Sequence, residues 1–139
     1  MTPEEFDALF DRHGAAEATK DIDAVMATLA DDVEHDVVGD PDGVLTDADA
    51  IKKRYLALFD TFADETLTPL RRYYGADFLV DESLFEGKIV NDFLGLPGQG
   101  RHITFRLLHI LETRDGLISR ENVWLDAAAI VAQLSSPAT

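Results

Sequence analysis

Phe93-Leu94-Gly95-Leu96-Pro97-Gly98-Gln99-Gly100-Arg101 is a Gly/Pro-rich loop that feeds two long apolar runs, Arg101 to Thr113 and Leu117 to Asp126. In the first run Ile103, Phe105, Leu107, His109 and Leu111 alternate with His102, Thr104, Arg106, Leu108 and Ile110. One set is almost wholly apolar and the other mixed, which is the pattern of a strand with one face toward a core. Asp115-Gly116 between the runs has the chemistry of a hairpin turn. Ala127 to Leu134, after Trp124-Leu125-Asp126, closes the chain as a short helix. This order predicts a curved sheet wrapped around a small-molecule pocket.

Working outward, Thr66 to Tyr74 and Phe78 to Ile89 form another hairpin around Gly75-Ala76-Asp77. Three helices precede it. Thr2-Pro3-Glu4-Glu5 is a start signal with a capping Thr, a Pro at the first helical position and a capping-box Glu. Phe6, Leu9, Phe10 and His13 then share one helical face. Asp21 opens a second helix with the stripe Ile22, Val25, Met26 and Leu29, which Asp31-Asp32 end. Val33 to Val38 reads as a short strand closed by Gly39-Asp40-Pro41-Asp42-Gly43. Thr46 with Asp49 predicts a capping box for a third helix, whose stripe is Ile51, Tyr55, Leu58, Phe59 and Phe62. Helices followed by hairpin-connected strands make an α+β fold, with a single domain over residues 1–134 and a tail over 135–139. The sheet is expected to be mostly antiparallel and roofed by the first three helices, its outer face pairing two chains into a homodimer.

Composition narrows the function classes. The chain has 139 residues, 46% of them hydrophobic, which is enough for a core without covalent staples. It has no cysteine, so disulfides, thiolate metal sites and a Cys nucleophile are excluded. A formal charge of −15 argues against nucleic acid or an anionic membrane as partner. No apolar run approaches the roughly 20 residues of a membrane span, and no basic-plus-apolar signal segment opens the chain. A cytoplasmic location is expected.

The pattern Phe93-x-Gly95-Leu96-Pro97-x-x-Gly100-Arg101, then Asp115-Gly116-x-Ile118-x-x-Glu121-x-x-x-x-Asp126, resembles the SnoaL-like polyketide cyclases of the nuclear transport factor 2-like superfamily. The resemblance covers nearly the whole chain. It implies a cone-like fold, a curved sheet around helices with an internal pocket. The superfamily hosts isomerases, cyclases, hydrolases, dehydratases and inert binding modules, so fold alone does not fix the chemistry. The N-terminal half also resembles bacterial ketosteroid isomerases, at Ala30-Asp31-Asp32 and at Asp36-Val37-Val38-Gly39.

These resemblances assign candidate roles. Asp36 matches the aspartate base of the isomerases, and a carboxylate among Val33, Val37 and Val38 has the environment a base needs; the alternative is a strand-end Asp bonding turn amides. His35 points to the opposite face of a regular strand, and a bulge near the bend decides which of the two lines the pocket. His13 matches an isomerase tyrosine that donates to an oxyanion; otherwise it is a core His bonded to a carbonyl or to a carboxylate such as Glu17. Tyr55 matches a tyrosine supporting the same network, or is a core aromatic. The departures are Leu108, where the isomerases carry a protonated Asp, and Val123, where the cyclases carry an Asp paired with the strand His matched by His109. Glu121 lies two residues before Val123 and so on the same face. Phe59, Phe78, Phe105 and Trp124 complete the expected substrate-binding set, although a lone Trp also suits an interface. Glu82 and Glu86, with Arg71, Arg72, Arg106 and Arg120, suit either a buried acid with its partner or a Glu-Arg ladder on the outer face.

The four histidines, His13, His35, His102 and His109, are dispersed without His-x-x-x-His spacing, so no metal site is expected. The loop over 95–100 precedes a strand rather than a helix and cannot cradle phosphate on a helix N-terminus. No Gly-x-Ser-x-Gly elbow occurs. The expectation is a cofactor-independent acid–base enzyme of isomerase, cyclase or lyase type, acting on a small hydrophobic carbonyl or a polyketide- or steroid-like molecule. The alternative is a non-catalytic binding or accessory module of the same fold.

Overall fold

The structure, a computed structural model, describes residues 1–137. Its elements run α1 (Pro3–Ala18), α2 (Ile22–Met26), β1 (Leu29–Val37), β2 (Val44–Leu45), α3 (Ala48–Thr61), β3 (Phe62–Tyr74), β4 (Phe78–Ile89), β5 (Arg101–Arg114), β6 (Leu117–Leu125) and α4 (Ala127–Ser135). The strands form one sheet in the order β2-β1-β6-β5-β4-β3. Among the described residues only β1 and β6 pair in parallel, because the chain between them makes the long excursion through the other strands. The α+β, mostly antiparallel architecture is the one anticipated. No helix among the described residues is long and apolar enough to cross a membrane.

Pleat parity organises the core. On β4 the buried positions are Leu79, Asp81, Ser83, Phe85, Gly87 and Ile89, alternating with half-buried or exposed ones. On β5 Ile103, Phe105, His109 and Leu111 are buried, and on β6 Glu121 and Val123 share that inner face. Helices α1 to α3 cover one end of it, packing Phe6, Leu9, Phe10, Val25, Ile51 and Tyr55 against Leu79, Leu111 and Ile118. Helix α4 covers the other end, where Ile130 and Leu134 meet Phe85, Ile89, Ile103 and Phe105. Thr2 and Glu5 form the expected capping box of α1. Arg72 pins this helix to the sheet, reaching Asp7 and Asp11 at 2.9 Å each and the buried Asp81 at 2.8 Å.

Several boundaries differ from the sequence expectation. Asp31 and Asp32 do not end a helix; α2 stops at Met26 and these residues lie inside β1. Pairing with β6 is irregular between Leu29 and Glu34, and that interruption leaves both aspartates exposed. The cap of α3 is Asp47, accepting from the Ala50 amide at 2.9 Å, rather than Thr46. Strand β3 starts at Phe62, directly from the end of α3, so Glu65 belongs to the sheet. It is an edge strand, where Pro69 interrupts no interior ladder. The Asp115-Gly116 turn is present, both residues at positive φ (54° and 76°), as a right-twisted hairpin requires.

Candidate functional site

A cavity of about 160 Å³ opens between the two core clusters. That is the size of an engineered cavity that holds a benzene ring, so it admits one ring, with any further part of a ligand passing out through the mouth. Its walls are mainly apolar and aromatic, among them Tyr55, Phe59, Phe62, Phe85, Phe93 and Phe105. The polar lining is Glu17, His35, Glu65, His109 and Glu121. Glu17, Glu65 and the exposed Ala18 and Leu67 mark the mouth, between the end of α1 and the start of β3.

Glu121 is the centre of the inner end. Parallel pairing sets it directly beside His35, and both are almost completely buried. The Tyr55 hydroxyl donates a short hydrogen bond to Glu121 Oε2, and His35 Nε2 lies 3.3 Å from the same oxygen. On the other side Oε1 is 3.5 Å from His13 Nε2 and 3.9 Å from His109 Nε2. The Nε2 atoms of His13 and His35 make no aligned hydrogen bond. Their contacts with Glu121 are therefore attractions of charge and dipole rather than directed bonds.

Neighbouring groups fix the ring protons. Thr28 spends its only hydroxyl hydrogen on Val25 O at 2.6 Å, so its oxygen must accept from His13 Nδ1–H at 2.8 Å. Arg54 Nη1 lies 3.1 Å from His35 Nδ1, and a guanidinium only donates, so Nδ1 accepts and the proton sits on Nε2, facing Glu121. Arg54 is itself held by His35 O at 3.0 Å, Gly43 O at 2.6 Å and Asp40 at 3.2 Å. Nothing in the sequence pattern singled it out, since arginine is rarely buried without a partner.

The charges follow from this packing. Burial alone pulls His13 down, but Glu121 and Glu17 overcome it and raise its pKa to about 9. Burial pushes Glu121 up, yet His13 and His35 hold it well below the usual carboxylate range, so it is ionised. Tyr55 is pushed well above its ordinary value by burial and by the Glu121 charge, and stays a phenol. Burial lowers His109 against the pull of Glu121 and Asp81, leaving a neutral imidazole whose Nδ1 has no partner. Glu17 is pushed up to about 7 by desolvation, with Glu121 adding and His13 opposing.

The structure brings most of the expected residues together. His35, Tyr55, Phe59, Phe105, His109 and Glu121 line the cavity, and His13 stands behind Glu121. Three do not belong to it. Asp36 points to the outer face, where Asn122 Nδ2 donates to it at 3.0 Å and Arg120 lies at 3.3 Å. Phe78 and Trp124 occupy the outward pleats of β4 and β6 and are 43% and 50% exposed. Each was assigned to the wrong side of its strand, because a one-residue change of parity exchanges the two faces. Glu82 also lies on the outer face, 3.7 Å from Arg106, as the ladder alternative has it. Sequence reasoning missed Glu65 and treated Glu17 only as a partner of His13. His13, Glu17 and Glu121 each bring one potential ligand atom to within 4.8 Å of the others, and this is the set that could hold a metal ion, in exchange for the His13 proton.

The fold recurs in solved structures. TsrD from Streptomyces laurentii is 22% identical with a TM-score of 0.84, over 99% of each chain. A candidate polyketide cyclase from Xanthomonas campestris is 22% identical with a TM-score of 0.83, over 95% of this chain and 98% of that one. A protein of ketosteroid isomerase-like fold from Catenulispora acidiphila is 19% identical with a TM-score of 0.76, over 99% and 96%. Among curated protein sequences none matches significantly. The family profile described as SnoaL-like polyketide cyclase matches residues 9–134, and the chain belongs to that family.

Proposed function

We propose that the protein is a cofactor-independent acid–base enzyme that isomerises, cyclises or dehydrates a small hydrophobic carbonyl compound of polyketide type. The observation that carries this reading is an ionised carboxylate at the inner end of an apolar cavity, ringed by His13, His35, His109 and Tyr55. His109, neutral and on the cavity wall, takes a proton from the carbon next to the carbonyl. The imidazolium formed is stabilised by Glu121 at 3.9 Å. The His35 Nε2–H, which makes no aligned hydrogen bond, is the donor left for a developing enolate oxygen, because Tyr55 spends its only hydroxyl hydrogen on Glu121. The volume of the cavity favours a compound that buries one ring over one that buries a whole steroid. The exposed Phe78 and Trp124, with Leu70 and Tyr73, suit pairing of two chains through the outer face.

The test is deuterium exchange at the carbon next to the carbonyl of acetophenone and 2-tetralone, followed by proton NMR in buffered D2O. Wild-type protein should accelerate exchange in at least one of them. His109→Gln and Glu121→Gln should lose the acceleration by roughly a hundredfold or more, while Asp36→Asn stays within a few-fold. No acceleration of either ketone would refute the enzyme reading in favour of a binding module. Full activity in His109→Gln would refute the assignment of the base.

A further inference from the structure

We propose that the physiological ligand carries a basic nitrogen, seated as an ammonium between Glu17 and Glu65 at the cavity mouth while its apolar body lies against the aromatic walls. This rests on the reading above only in placing the ligand in this cavity. The first argument is the charge inventory. Glu17, Glu65 and Glu121 all line the cavity, whereas the groups that offset their charge are His13, His35 and Lys20. His13 is already shared between Glu121 at 3.5 Å and Glu17 at 3.8 Å. Lys20 turns its ammonium to backbone carbonyls, Phe59 O at 2.7 Å and Phe62 O at 3.0 Å. Among the described residues Glu65 has no cation within ion-pair distance. Glu17 and Glu121 thus share His13, His35 adds to Glu121 at 3.3 Å, and Glu65 is offset by Lys20, whose ammonium is held by backbone carbonyls.

Burial favours the neutral form of both mouth carboxylates. Desolvation raises Glu65, with Lys20 opposing, and Glu17 is raised by burial and by the charges of Glu121 and Glu65. A cation entering the mouth would favour their charged forms, whereas a carboxylate ligand would meet the same field as repulsion.

The second argument is independent of the two glutamates. Tyr55, Phe59, Phe62, Phe85, Phe93 and Phe105 surround the space behind the two glutamates, and aromatic faces attract ammonium groups more strongly as they desolvate. A net charge of −15 draws cations toward the protein as a whole. An enclosed aromatic chamber entered between two undercompensated carboxylates is the environment an aryl- or alkylammonium fits.

The test is calorimetric titration near neutral pH with a matched series, 2-phenylethylamine, 2-phenylethanol and phenylacetate. The amine should bind at least about tenfold tighter than the alcohol and phenylacetate weakest, with added salt reducing only the preference for the amine. Glu17→Gln and Glu65→Gln should each narrow that preference, and the double variant should abolish it. Glu65, half-buried on the edge strand, keeps the test open if Glu17→Gln does not fold. Equal affinity for amine and alcohol, or a preference that survives in the double variant, overturns the proposal and leaves the enzyme reading standing. If Zn²⁺ alone binds stoichiometrically and excludes the amine, the mouth serves a metal and the proposal is wrong. If none of the three compounds binds, this proposal is wrong, while ketone exchange still decides the enzyme reading.

Discussion

Replacing Glu121 by Gln keeps the shape of the side chain and removes its charge. His13 then loses its nearer carboxylate, at 3.5 Å, and keeps Glu17 at 3.8 Å on a side chain 31% exposed, where solvent weakens the attraction. In the wild type His13 is fully buried and its pKa rises from 6.5 to about 9. At about 1.4 kcal/mol per pH unit that rise corresponds to roughly 3 kcal/mol of stability. The folded state binds this proton more tightly than the unfolded state. The contribution is therefore complete below pH 6.5, declines as pH rises, and is gone above the folded value of about 9. Glu17, raised from 4.5 to about 7, acts in the same direction over a lower window, so the decline above neutrality belongs to His13.

Urea unfolding at a series of pH values between neutrality and the far side of that window measures the effect, and nitrogen-15 NMR of the His13 ring follows the proton directly. Wild-type stability should fall by roughly 3 kcal/mol across the window. In Glu121→Gln the curve should flatten, because burial, which lowers the His13 pKa, is then opposed by Glu17 alone. The His13 titration should move down by more than one pH unit. Parallel stability curves for the two proteins, or a variant whose His13 still titrates near the wild-type value, would refute the view that Glu121 holds the His13 proton.

Arg54→Met removes the donor that fixes the His35 tautomer and leaves Gly43 O, His35 O and Asp40 without their partner. A loss of about 2–4 kcal/mol in urea unfolding is expected, together with movement of the His35 proton toward Nδ1 in nitrogen-15 spectra. Gly98→Ala places a methyl carbon 2.3 Å from Ile89 O and 2.4 Å from Asn91 O, both backbone atoms that cannot swing aside. It should lower stability by at least about 2 kcal/mol in thermal melts, and a neutral result would mean that this loop is not held as described.

Much of the sheet was legible because β4 and β5 obey a two-residue period, and the alternation of Ile103, Phe105, Leu107 and Leu111 identifies the face that carries His109. The Glu121 position followed from the same parity. The first strand was harder, since valine occurs on both of its faces, at Val33 and Val37 and at Val38. The usable signal was the pattern Val33-x-His35-x-Val37 against Glu34 and Asp36, which sorts His35 inward and Asp36 outward. The isomerase resemblance at Asp36 competed with that pattern, and the pleat prevailed. Glu17 was accessible as the i+4 neighbour of the inward-facing His13. Glu65 was not, because a strand beginning at Thr66 leaves it in a connection that does not exist. The placement of Arg54 depends on Gly43 and Asp40 in a turn folded back against α3, which is tertiary information that no local pattern contains.

The vacancy at Val123 looks like a missing acid only while the strand is read one position at a time. Val123 is the residue directly across from His109, and Glu121 lies across from Leu111, one pleat further along. Two residues along a strand are roughly 6.8 Å, yet Glu121 Oε1 comes within 3.9 Å of His109 Nε2. The longer glutamate side chain spans most of the distance by leaning along the strand. In doing so it also comes within reach of His13, His35 and Tyr55, which an acid at Val123 would approach less closely. Moving the carboxylate by one pleat therefore places it under α1 and beside β1, where its charge is buried and compensated. Under the proposed function the role of free base then falls to His109 rather than to the acid. An acid restored in the Val123→Asp, Glu121→Gln double variant would stand opposite His109 without the His13 and His35 partners. Its carboxylate should titrate above that of Glu121, which carbon-13 NMR of the labelled side chain can measure. A value as low as that of Glu121 would show that the position along β6, and not the company of His13 and His35, sets the acidity of this site.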